Sequence, residues 1–132
     1  MGFDLVDIER VRRLLDRHDT RALNRLLTDA ERSYCIGQAV PARHVAVRLA
    51  AKEAAYKAFQ IANNARAIGW RDSEVIRGPE GRPEMRFHGL AAATAAELRV
   101  DQALVSLSHT DSHAGAVVML IRGEVAIARP PL

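Results

Sequence analysis

The sequence has 132 residues, of which 48% are hydrophobic and 27% are charged, and it carries a formal net charge of +3. This length and composition predict one globular domain that buries a core without help from disulfides or metals. The single cysteine excludes an internal disulfide, and no apolar run reaches the roughly 18 to 20 residues of a membrane span. We expect a cytoplasmic protein with no membrane contact, because the N-terminus also lacks the regions of a secretory signal.

The first half of the chain predicts one strand followed by three helices. The strand covers 3–8, and two helices follow near 9–16 and 22–34. The third helix, 42–59, is the longest, because this stretch is rich in Ala and contains neither Gly nor Pro.

The second half of the chain predicts mainly strands. A Gly- and Pro-rich turn joins two of them, a short helix follows, and a second strand pair ends the domain. In chain order these elements cover 70–77, 84–88, 91–99, 105–108 and 114–121. Helices early and antiparallel strands late predict an α+β fold, with a single domain over 1–121 and a C-terminal tail over 122–132.

The long helix holds the only two lysines of the chain, Lys52 and Lys57, against seventeen arginines. A GC-rich genome accounts for the excess of arginine, but it leaves open why these two positions carry lysine, a compact point charge. Glu53 and Lys57 share one helix face at i and i+4, which by itself indicates a weak surface ion pair. Ala46 and Ala50 continue that stripe, and their small side chains would let a ligand or another chain approach closely.

Two other segments place polar residues in predicted strands. An inward Asp4 in the first strand would need a cation or several donors, whereas an outward one would face solvent, and the same choice applies to Asp7. Ser108 and His109 end a later strand, either as a ligand-binding strand end or as a Ser-His hydrolase pair, although neighbours in a strand point to opposite faces. No phosphate-binding Gly-rich loop is present, and the available side chains suit a hard divalent cation with phosphate oxygens.

Arginines at helical spacing form one further feature of the N-terminal half. They predict a docking face for an acidic partner or, alternatively, a solvated surface. The aromatic content of 5% and the lack of a stacking or zinc motif argue against nucleic acid, and charge alone fits an acidic protein equally well. The residues of this arginine face are Arg10, Arg13, Arg17 and Arg21.

Five segments resemble motifs of the holo-[acyl-carrier-protein] synthases, the small type of 4'-phosphopantetheinyl transferase. Each segment is short, but all five occur in the family's order and span nearly the whole chain. They are GFDLVDIER at 2–10, RLAAKEAAYKAF at 48–59, DSEV at 72–75, GRP at 81–83 and VSLSHT at 105–110. The resemblance implies the phosphopantetheinyl transferase fold, with one long central helix packed on an antiparallel sheet. The implied reaction moves the phosphopantetheine arm of coenzyme A to a serine of an apo acyl carrier protein and releases adenosine 3',5'-bisphosphate.

The resemblance also implies roles for individual residues. Asp4 and Glu53 would bind Mg²⁺ together with the pyrophosphate of coenzyme A and waters, and Glu53 would deprotonate the carrier serine directly or through a metal-bound water. Lys57 would stabilise charge on the phosphates, and Lys52 is assigned to coenzyme A or to structural contacts. The residues expected at the nucleotide end of coenzyme A are Arg48, Gly81, Arg82, Pro83, Ser108 and His109.

The same resemblance implies how the protein assembles and docks. The arginine face would meet the acidic recognition helix of the carrier, and the protein would form a homotrimer with active sites between protomers. Two alternatives stay open: a non-catalytic basic module that binds an acidic protein or nucleic acid, and a small hydrolase built on Ser108 and His109.

Overall fold

One long helix packed on a three-stranded sheet forms the centre of the fold. The computed structural model describes residues 1–63 and 65–123, so the predicted tail from 124 onward lies outside the described residues. The helices are α1 (Ile8–Leu26), α2 (Asp29–Ile36), α3 (Pro41–Ala58) and α4 (Gly89–Glu97). The strands are β1 (Gly2–Asp7), β2 (Ser73–Arg77), β3 (Pro83–Phe87), β4 (Val100–His109) and β5 (His113–Arg122). The predicted α+β class is confirmed.

The sheet has the strand order β1-β5-β4, and both pairings are antiparallel. The inner face of this sheet packs on α3, and Ala116 and Val118 of β5 are buried against the alanines of the helix. β2 and β3 form a separate antiparallel pair. In the described part of the chain, no helix is long and apolar enough to cross a membrane.

The alanine stripe of α3 is covered by the sheet of the same chain. Ala46, Ala50 and Ala54 have no exposed surface. The expectation that this stripe admits a ligand or another chain was therefore wrong, because its small side chains instead allow β1 and β5 to lie close to the helix axis. A Cβ added to Gly2 would lie 1.8 Å from the backbone oxygen of Ala54, so only glycine fits where β1 crosses the helix.

Several element boundaries differ from the predicted ones. Helix α1 runs without a break to Leu26, because 8–26 contains no Gly or Pro to interrupt it. The next helix starts at the capping box of Thr28, whose hydroxyl accepts from the Glu31 backbone while the Glu31 side chain accepts from the Thr28 backbone. Trp70–Asp72, predicted as the start of a strand, forms a 3₁₀ turn.

A buried polar network ties α2 to the β2–β3 pair. The Glu74 carboxylate accepts a hydrogen bond from the Thr28 hydroxyl, and His88 Nε2 lies 3.0 Å from its other oxygen. Burial by itself would raise the pKa of Glu74, but the hydrogen bonds with Thr28 and His88 outweigh it and lower that pKa. The ionised carboxylate is therefore the form that the fold stabilises.

Candidate active site

Asp4 and Lys57 form an ion pair between β1 and the last turn of α3. Lys57 Nζ donates to Asp4 Oδ1 at 2.9 Å and to the backbone oxygen of Phe3 at 3.1 Å. The Lys57 side chain is 51% exposed and the Asp4 side chain only 18%. Asp4 thus takes the inward orientation that requires a cation, and Lys57 supplies one.

Glu53 lies one turn before Lys57 and is half-buried beside Asp4. Lys57 forms its ion pair with Asp4 and not with Glu53, so the i,i+4 surface pair is not the arrangement that the fold selects. Burial is the main cause that raises the pKa of Glu53, and the negative charge of Asp4 raises it further, while Lys57 offsets part of the effect. Two carboxylates therefore lie close enough to repel each other.

A cleft of about 630 Å³ connects these carboxylates to α1. Asp4 and Glu53 line it together with three members of the arginine face, Arg10, Arg13 and Arg17. Arg21, the fourth member, is exposed but lies further along the helix and does not line the cleft. The structure thus joins the predicted metal ligands and most of the predicted docking face in one cleft.

Two further residues shape this carboxylate cleft. Asp7, at its edge, caps α1: its carboxylate accepts from the backbone nitrogens of Glu9 at 2.9 Å and Arg10 at 3.3 Å. Trp70, the only tryptophan in the sequence, also lines the cleft and was not among the predicted site residues. Its position depends on the 3₁₀ turn, for which the local sequence carries no distinctive signal.

Lys52 faces away from the carboxylate pair into the protein interior. Its ammonium lies 2.6 Å from Glu31 Oε1, and the two side chains are 1% and 0% exposed. The same ammonium donates to the backbone oxygens of Trp70 at 2.8 Å and Ser73 at 2.5 Å. Of the two roles considered for Lys52, these contacts correspond to the structural one.

A second cleft, of about 260 Å³, gathers most of the residues predicted at the nucleotide end of coenzyme A. These are Arg48, Gly81, Pro83, Ser108 and His109. Arg82 does not line the cleft; its side chain is 81% exposed, and its guanidinium lies 3.8 Å from the Glu80 carboxylate. Gly81 adopts a φ of +74°, a left-handed conformation that favours glycine, and so closes the turn between β2 and β3.

Three basic residues of this second cleft were not predicted: Arg43, His44 and Arg77. The spacing of His44 and Arg48, at i and i+4 on α3, was a signal that they share a face. Burial is the main cause that lowers the pKa of His44, and the positive charges of Arg48, Arg77, Arg43 and His109 lower it further. The cleft therefore has a positive potential that favours an anion.

Ser108 and His109 do not form a nucleophile and base pair. His109 Nδ1 has its contact with the backbone oxygen of Thr110, at 3.4 Å, and Ser108 forms no hydrogen bond with the imidazole. Consecutive side chains on β4 point to opposite faces of the sheet, which explains the separation. This geometry gives the hydrolase alternative no support.

Known proteins with a similar sequence point to one enzyme family. The sequence profile of the 4'-phosphopantetheinyl transferase superfamily matches residues 1–118. The holo-[acyl-carrier-protein] synthase of Geobacter metallireducens is 40% identical over 121 residues, which cover 92% of this chain and 95% of that protein.

Solved structures extend the similarity to the fold. The acyl carrier protein synthase of Mycobacterium tuberculosis is 33% identical, with a TM-score of 0.68 over 92% of this chain and 96% of that one. A holo-(acyl-carrier-protein) synthase of Bacillus anthracis, solved in complex with CoA (3',5'-ADP), is 25% identical, with a TM-score of 0.71 over 92% and 95% of the two chains. The chain therefore belongs to the 4'-phosphopantetheinyl transferase superfamily and, within it, to the holo-[acyl-carrier-protein] synthases.

Proposed function

We propose that the protein transfers the 4'-phosphopantetheine group of coenzyme A to a serine of an apo acyl carrier protein. The observation that carries this proposal is the carboxylate cleft, in which Asp4 and Glu53 lie beside an arginine face within a member of this family. In the reaction, the serine oxygen forms a bond to the phosphorus of the pantetheine phosphate. The bond from that phosphorus to the bridging oxygen breaks, and its electron pair leaves with adenosine 3',5'-bisphosphate.

The residues of the carboxylate cleft fit a magnesium ion. Asp4 and Glu53 line the same cleft, and the pKa of Glu53 is raised first by burial and then by the charge of Asp4, so one divalent cation held by both carboxylates would relieve their repulsion. Mg²⁺ takes one or two carboxylates and completes its shell with phosphate oxygens and waters, which is the donor set available here. When bound, it would neutralise charge on the pyrophosphate and make the phosphorus more electrophilic.

Glu53 and Lys57 carry the chemical steps assigned to the chain itself. Glu53 accepts the proton of the carrier serine at a carboxylate oxygen, directly or through one water. Lys57 has a half-exposed side chain with a rotatable ammonium, so it can turn from Asp4 toward the phosphate oxygens of bound coenzyme A. Charge that develops on the leaving phosphate is then stabilised by a donor that already lies beside Asp4 of the cleft.

A homotrimer with active sites between protomers is supported by the outer face of the sheet. That face exposes large apolar side chains, and the alternation of the strands places them together. They are Phe3, Leu5, Leu104 and Met119. Ser108 and His109 line both the second cleft and this surface, so a second copy packed there would border the nucleotide end of the site.

The positions of the two clefts on one chain also support active sites between protomers. Glu53 lines the first cleft and Arg48 the second, and five residues separate them on α3, which corresponds to about 140° around the helix. One coenzyme A reaches both sets of residues when it lies between protomers, with its phosphates at one chain and its nucleotide at the next.

The arginine face is the proposed docking surface for the carrier. Arg10, Arg13 and Arg17 line the carboxylate cleft together with Glu53, so an acidic helix docked on them would hold its serine close to Glu53. We propose a protein partner and not nucleic acid, because among the described residues Trp70 is the one aromatic side chain that lines this cleft.

Mass spectrometry of the carrier tests the proposed function. Wild-type protein incubated with coenzyme A, Mg²⁺ and an apo carrier should add one phosphopantetheine mass to the carrier, and Glu53→Gln should keep the fold but abolish this gain. No mass gain with several carriers would refute the enzymatic proposal. Calorimetry with coenzyme A separates the remaining alternative, because a non-catalytic basic module would bind an acidic protein but not coenzyme A.

A further inference from the structure

The second cleft concentrates positive charge without a balancing acid. Of the described residues that line it, five carry basic side chains and none carries a carboxylate. Among the described residues, no carboxylate lies within ion-pair distance of Arg48 or Arg77. Something other than a salt bridge must therefore hold these two guanidinium groups in place.

The ring of Tyr34 holds both guanidinium groups. The Arg48 guanidinium carbon lies 4.4 Å from the ring centroid, and that of Arg77 lies 5.1 Å from the same centroid. Tyr34 is on α2, Arg48 on α3 and Arg77 at the end of β2, so one ring joins three elements at the cleft. Attraction between a cation and an aromatic face offsets part of the repulsion between the two like charges.

Both arginines keep donors that the fold does not use. Arg48 is 4% exposed, donates to the His44 backbone oxygen at 3.2 Å and also contacts the Cys35 side chain, but its Nε has no partner. Arg77 donates to the Gly81 backbone oxygen at 3.3 Å from one nitrogen only. The Arg48 Nε is therefore a buried donor without a partner among the described residues, a costly arrangement that a bound anion would relieve, whereas the remaining donors of the exposed Arg77 reach solvent.

We propose that Tyr34 is a positioning residue that holds Arg48 and Arg77 at the second cleft, so that the pair binds a phosphate group of the nucleotide end of coenzyme A. This inference rests on the proposed function and adds Arg77 to the binding residues. The ring face of Tyr34 is the part that acts, and its hydroxyl is not required. Tyr34 does not itself line the cleft, so its effect on the ligand passes through the two arginines.

Two substitutions of Tyr34 distinguish the contribution of its aromatic ring from that of its hydroxyl. Tyr34→Phe keeps the aromatic face and should hold the affinity for adenosine 3',5'-bisphosphate, measured by calorimetry, within about twofold of wild type. Tyr34→Leu loses the face and should weaken this affinity about tenfold. In the transfer assay, KM for coenzyme A should rise by a similar factor while kcat stays within about twofold, a split that a general loss of folded protein would not produce.

A double-mutant cycle tests the route through Arg77. On an Arg77→Gln background, Tyr34→Leu should weaken binding by much less than it does alone, because the group that it positions is already gone. If Tyr34→Leu fails to fold, Arg77→Lys tests the same point: the charge remains, but the planar group that stacks on the ring is lost, and affinity should fall about fivefold.

Three results would overturn the inference: wild-type affinity in Tyr34→Leu or in Arg77→Lys, equal losses in Tyr34→Phe and Tyr34→Leu, or additive losses in the double mutant. Failure of the proposed function is a different observation, because the wild-type protein would then neither bind coenzyme A nor modify the carrier.

Discussion

Replacement of Lys52 by methionine should cause a large loss of stability. The substitution keeps the length of the side chain but removes the ammonium that pairs with Glu31 at 2.6 Å. Glu31 would retain backbone donors from Thr28 and Val75, both at 3.0 Å, yet its charge would be buried without a counter-ion. The backbone oxygens of Trp70 and Ser73 would lose the donor that they share.

The expected magnitude follows from the burial of the pair. Removal of one partner from a buried ion pair costs about 3–5 kcal/mol, which for a domain of this size lowers Tm by about 10–15 °C. The matched control is Lys57→Met, the same substitution in the same helix. The Lys57 side chain is 51% exposed, and loss of an ion pair of that kind costs about 0–1 kcal/mol.

Urea denaturation at one fixed protein concentration measures both variants, because self-association would otherwise change the apparent stability. Circular dichroism follows the helices, and the fluorescence of the single tryptophan follows the 3₁₀ turn that Lys52 anchors. A free energy of unfolding for Lys52→Met within about 1 kcal/mol of that for Lys57→Met would refute the reasoning. Substitution of both partners, Lys52→Met with Glu31→Leu, should recover part of the loss because no buried charge remains unpaired.

Three further predictions concern other parts of the chain. Lys57→Arg keeps the charge but replaces the compact ammonium with a planar guanidinium, so kcat in the transfer assay should fall about tenfold while Tm is unchanged. Full activity of this variant would show that position 57 does not require lysine. Glu74→Gln should lower Tm at pH 7, because a carboxyl with a lowered pKa stabilises the fold while it is ionised. The difference in Tm between variant and wild type should shrink as the pH falls below 4.5, the ordinary pKa of a Glu side chain. A difference in Tm that stays constant with pH would contradict this. Gly2→Ala should lower the free energy of unfolding by about 1–3 kcal/mol, because the added Cβ overlaps the Ala54 backbone. In the control Gly69→Ala, the added Cβ meets no atom closer than 3.6 Å, so the free energy of unfolding should stay within about 0.5 kcal/mol of wild type. Equal effects of the two substitutions would contradict the close approach of β1 to α3.

The sequence by itself determined the fold class and the long central helix. It predicted part of the lining of the two clefts, but not Trp70 in the first or Arg43, His44 and Arg77 in the second. The five family motifs are local patterns, and each was readable without knowledge of the fold. The capping box at Thr28 was equally readable, since a Thr followed by Glu at the third position is a local signal, but we predicted a single helix through it. Boundaries that depend on such short signals are the ones that were misplaced.

Tertiary structure alone decided which lysine is structural and which is available for chemistry. Lys52 and Lys57 are five residues apart in one helix and therefore point in directions about 140° apart. Lys52 is buried because Glu31 reaches it from α2 and the turn at Trp70 closes over it, whereas Lys57 emerges beside Asp4 of β1. Those partners are distant in the sequence, and burial depends on what packs against a residue from elsewhere in the chain. For the same reason, local pattern could not reveal that one tyrosine on α2 joins two arginines from α3 and β2.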